Sequence, residues 1–68
     1  MHQFTYIIER CPETHLLVGY VPGLPGAHSQ GDTFDELHEN MIEALGLIME
    51  DGNIQLESEF VGIQNISV

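Results

Sequence analysis

The residues whose types permit chemistry are eleven carboxylates, four histidines and one thiol, set against a single cation, Arg10. Their spacing argues against a reaction. His28 and Asp32 can approach each other around a turn, while His38 has Phe34, Asp35, Met41 and Ile42 at helical steps of three and four, of which only Asp35 can ligate a metal. With no His-x-x-x-His and no Cys-x-x-Cys spacing, no motif supports a metal site, and we expect neither metal nor cofactor. Cys11 lies near His15 in sequence, but a nucleophilic thiol also needs an orienting group and a pocket, which proximity alone does not supply. No catalytic residue is therefore expected. What remains is recognition by charge: Glu36, Glu39, Glu43 and Glu50 fall on one polar helical face, where they either solvate the protein or complement a basic partner.

A chain of 68 residues holds one domain, 1–68, and a domain of this size buries only about 60% of its surface on folding. Its composition is that of a folded protein, since 43% of residues are apolar and they occur in periodic segments. A small core needs a supplement, and a lone cysteine excludes an internal disulfide, which makes self-association the expected one. The formal charge of −10 repels phosphate backbones, so direct nucleic-acid binding is not expected. No apolar run approaches the 18 to 20 or so residues of a membrane span, and Met1-His2-Gln3-Phe4 lacks the basic and apolar regions of a signal peptide. These features predict a cytoplasmic protein without a membrane partner.

The elements that must position these residues are legible in outline. Residues 3–9 alternate and are rich in aromatic and β-branched types, predicting a first strand. Residues 16–21 are apolar on both faces, predicting a central second strand antiparallel to the first. Val21-Pro22-Gly23 and Leu24-Pro25-Gly26 each place proline early and glycine late, as two successive tight turns require. Residues 27–30 then suffice for a short third strand. Thr33 with Glu36 forms a capping-box pattern, strengthened by Asp32 and Asp35 at the positive end of the helix dipole. Phe34, Leu37, Met41, Ala44, Leu45 and Ile48 make an apolar stripe that can lie across a sheet, and Ile42 and Met49, with His38 preceding, are expected to widen it rather than to form a helix-borne subunit contact, the alternative. Asp51-Gly52-Asn53 supplies the stop, with Gly52 the expected left-handed cap. Residues 60–68 predict a last strand that returns parallel to the first by a right-handed crossover. The outcome is an α+β domain of order β-β-β-α-β, one four-stranded mixed sheet with one helix on a face. Its other face, carrying apolar residues among Ile7, Leu17 and Val21, should then be covered by another subunit.

Gly19-Tyr20-Val21-Pro22-Gly23-Leu24-Pro25-Gly26, followed by Gly31-Asp32-Thr33 and an acidic helix with Glu36, Asn40 and Glu43-Ala44, resembles the HicB-like antitoxin family, formerly an uncharacterised protein family. The likeness runs from about Tyr6 to Met49. It implies a partial ribonuclease-H-like fold and a protein that neutralises HicA, a small basic toxin that cleaves messenger RNA, by occluding its RNA-binding and catalytic surface. Ala27 stands where many relatives carry cysteine. Many HicB proteins also continue into a DNA-binding domain, and none is expected here after Val68.

The ribonuclease-H likeness raises the question of a nuclease, which would need carboxylates from strand one, the helix and the last strand around two metal ions. Strand one offers only Glu9 at its end, and no acidic residue follows Glu59. The chain therefore reads as a binding protein, with Pro22, Leu24, Pro25, His28, Glu36, Glu39 and Glu43 as candidate contacts. Gly23, Gly26, Gly31, Asp32, Thr33 and Gly52 are expected to shape the turns and caps. A stand-alone regulatory or small-ligand-binding domain of the same fold, with no toxin partner, is the alternative.

Overall fold

The computed structural model describes residues 3–52 and 54–68, so the Asn53 portion of the expected helix stop lies outside the described residues. Three short strands, β1 (Ile7–Arg10), β2 (Leu17–Tyr20) and β3 (His28–Gly31), precede one helix, α1 (Phe34–Asp51). The sheet order is β1-β2-β3 and both pairings are antiparallel, with Ile7 opposite Tyr20 and Leu17 opposite Gly31. The apolar second strand is thus the central one, because only a strand flanked on both edges can bury such a sequence.

Between β2 and β3 the chain makes the two expected turns in succession. The amide of Leu24 donates to the carbonyl of Val21, that of Ala27 donates to the carbonyl of Leu24, and the Val21 amide closes the loop on Ala27. Gly23 and Gly26 have φ of 81° and 83°, the left-handed geometry that type II turns require after proline. The helix starts as its capping residues dictate: the Thr33 hydroxyl accepts from the Glu36 amide at 3.1 Å, and the Glu36 carboxylate accepts from the Asp32 amide at 3.3 Å. Gly52, at φ 73°, ends it and donates to the Met49 carbonyl.

α1 packs on β2 and β3, and the core consists of Leu17, Val21, Leu24, Ala27, Leu37 and Met41. Tight seating needs glycine at Gly31, where a Cβ would come within 2.7 Å of the Leu37 amide nitrogen. Leu45 and Ile48 support this core from the helix, and Phe4, Tyr6 and Ile54 from the flanking segments.

Four expectations are corrected. First, no strand forms over residues 60–68 among the described residues, and the sheet has three strands rather than four. Residues 61–68 are all exposed, with Val61 at 91% and Ile66 at 87%. A strand exists only when a neighbour accepts its hydrogen bonds, so residue pattern alone could not secure it. Second, Phe34 leads the apolar stripe but is 63% exposed, because at the first helical position it lies beyond the sheet that Leu37 and Met41 cover. Third, Ile42, at 59%, and Met49 do not widen the core, since α1 sits over β2 and β3 and leaves the β1 side open. Fourth, Leu17 and Val21 both lie beneath the helix. Cross-strand partners share a face, so the uncovered face carries Ile7, Tyr20 and His28 in one row and Glu9, Val18 and Gln30 in the next. That face is mixed rather than uniformly apolar.

Candidate functional surface

The double turn and the outer helix face are the two places where the candidate contact residues gather. Within the turn, Leu24 is only 6% exposed and anchors the loop from inside, so it offers no contact area. Pro22 is half-buried and Pro25 exposed. The loop is also held from behind: the Gly23 carbonyl accepts from the Glu57 amide at 2.6 Å, and a Cβ on Gly23 would run into the Ser58 backbone. His28, first residue of β3, is exposed just beyond the second turn, on the uncovered sheet face with Tyr20 opposite.

Glu36, Glu39 and Glu43 are all exposed, and at 100° per residue they project from the side of α1 opposite Leu37 and Met41. Asp35, Glu50 and Asp51 are exposed on the same helix, which carries no basic residue in its last turn. The loop and this acidic ridge lie on different surfaces, so the structure does not gather the candidate residues into one site. Between the loop and the end of the helix is a cleft of about 340 Å³ lined by Leu24, Pro25, Ile48, Asp51, Gln55 and Glu57, which sequence reasoning missed because its last two residues come from an irregular segment.

Several further polar side chains have structural partners. Asn40 donates to the Gln30 carbonyl at 2.8 Å, tying α1 to the outer edge of β3. Tyr6 and His38 share a hydrogen bond of 2.7 Å between the phenol oxygen and Nδ1, which pins that flank of the helix towards the β1 side. Arg10 donates to the His15 carbonyl at 2.8 Å, bracing a β1–β2 turn in which His15 adopts φ 63°. In the same turn the Thr14 hydroxyl, then the Thr14 and Glu13 backbone, hydrogen-bond the Cys11 thiol and hold it below the ordinary thiol value. Among the described residues no three histidine, cysteine or carboxylate side chains come together to hold a metal ion. No described helix is long and apolar enough to cross a membrane.

Across its length the chain is similar to small proteins from distant organisms. It is 41% identical to a UPF0150 protein of Synechocystis over 97% of this chain and 94% of the relative. A UPF0150 protein of Thermotoga maritima is 39% identical over 96% and 88% of the two chains, and one of Archaeoglobus fulgidus 36% over 97% and 94%. The chain belongs to the UPF0150 family. This is an uncharacterised family, and the names of these relatives state no activity, ligand or partner. No family model matches this UPF0150 protein, and no solved structure matches it significantly.

Proposed function

We propose that this UPF0150 protein is an antitoxin-like binding module of HicB type, cytoplasmic and self-associating, that occludes a small basic HicA-type messenger-RNA-cleaving toxin. The observation that carries the reading is the acidic ridge of Glu36, Glu39 and Glu43, exposed along one helix face in a chain with a single cation. Such a ridge accelerates encounter with a cationic surface and disfavours nucleic acid, so the module competes with RNA for the toxin rather than binding RNA itself. Occlusion requires no chemistry from the module, in keeping with the structural partners found for Tyr6, Arg10, His38 and Asn40. The partial ribonuclease-H-like fold belongs to the same proposal, and the order of three strands followed by one helix supports it.

The test is to mix the purified chain with a small basic HicA-type ribonuclease and follow cleavage of a messenger RNA. Stoichiometric inhibition with a complex of defined mass is the expected result. Full cleavage in the presence of excess chain, with no complex formed, would refute the reading. The cleft beside Pro25 favours a second one, a stand-alone small-ligand-binding domain, because its volume lies at the lower end for ligand sites.

A further inference from the structure

The two edges of the sheet are treated differently. At β3 the helix guards the outer edge through the Asn40 bond to the Gln30 carbonyl. At β1 no strand lies against the outer edge among the described residues, although an unpaired edge is a template for another strand. Beside that edge is an apolar ledge. Ile8 pairs with Gly19, whose missing Cβ would face Leu37, so Ile8 is on the helix side of the sheet and is exposed. Ile42 and Met49, spaced with His38 along one flank of α1, are directed to the same side by the bond from His38 to Tyr6.

The C-terminal segment has the complementary properties. Phe60 is half-buried in a cleft with Phe4 and Pro22, and from there residues 61–68 are exposed, presenting Val61, Ile63, Ile66 and Val68. The radius of gyration is 13.1 Å, against about 11 Å for a compact chain of this length. Extended, eight residues reach roughly 26 Å, enough to cross to a neighbouring body.

We propose that residues 61–68 of one copy add as a strand to the β1 edge of a second copy, reciprocally, so that each sheet gains its fourth strand from the partner. Charge selects the surface on which such copies can meet. A chain of net charge −10 repels itself least where acidic side chains are few: residues 61–68 carry none, and β1 carries one, Glu9. β1 moreover ends in Arg10, the single cation. This goes beyond the toxin-binding reading and stands without it.

The experiment is light scattering on the purified full chain, with isotope-filtered NMR on an equal mixture of labelled and unlabelled copies. The expected mass is twice 7.6 kDa, with contacts between methyls of Val61 or Ile63 in one copy and Ile8 or Ile42 in the other. The double variant Ile63→Asp/Ile66→Asp, which touches no core residue, should raise the dimer dissociation constant at least tenfold and keep the circular dichroism of the folded chain. A monomeric wild type, a dimer indifferent to the double variant, or methyl contacts confined to one copy would each overturn the proposal. A monomeric wild type would also remove self-association from the proposed function, whereas toxin occlusion is tested separately by the cleavage assay.

Discussion

At the scale of single residues, Gly23 and Gly26 look interchangeable in sequence but differ in what surrounds them. Both have left-handed φ, yet a Cβ at Gly26 meets open space whereas one at Gly23 meets the Ser58 backbone. Gly26→Ala should therefore cost about 1 kcal/mol, the backbone strain alone. Gly23→Ala should cost about 2 kcal/mol or more and detach the segment around Glu57, measurable by urea denaturation and by faster exchange of the Glu57 amide. Cys11 gives a second residue-level prediction. Hydrogen bonds from Thr14 and Glu13 favour the thiolate, so the pH profile of alkylation should lie at lower pH in the folded chain than in the denatured one. Thr14→Ala should move that profile back up. Because the folded value is the lower one, the associated stability is present above the unfolded thiol value and lost as pH falls through the folded one.

At the scale of elements, helix packing separates residues that periodicity grouped together. Leu37 is fully buried and Phe34 is not, so Leu37→Ala should lower stability by about 3 kcal/mol and Phe34→Ala by less than about 0.5 kcal/mol in thermal or chemical denaturation. Local chemistry made the double turn and the helix ends readable: proline and glycine at Pro22-Gly23 and Pro25-Gly26, the Thr33 cap and Gly52 each act within four residues. The strands were readable as centres, with β1 beginning at Ile7 rather than at Gln3. The expected strand over 60–68 and the exposure of Ile42 and Met49 were not readable in the same way. Both depend on what lies alongside in space, and an apolar stripe reports how much surface wants cover without naming its neighbour. For the site, the residue types on the acidic ridge were evident from spacing, whereas the burial of Leu24 and the cleft beside Pro25 depend on how the 54–58 segment returns across the loop.

At the scale of the whole molecule, the described residues supply a core of six buried apolar side chains and leave several larger ones outside it. Apolar surface that a single chain leaves uncovered, together with a field of ten net negative charges, fits a protein whose business is to meet other polypeptides. The two features do different work. On the proposals made above, the β1 edge, where Glu9 lies beside Arg10, and residues 61–68 would serve contact between like copies, and the carboxylate ridge would serve an unlike, basic partner. The most direct measurement of that central claim is the association rate with a small basic HicA-type ribonuclease as a function of salt, for the wild type and for Glu36→Lys/Glu39→Lys/Glu43→Lys. The account predicts a wild-type rate that falls steeply with ionic strength and a variant rate at least about tenfold lower at low salt. Equal rates for the two proteins at low salt would contradict it.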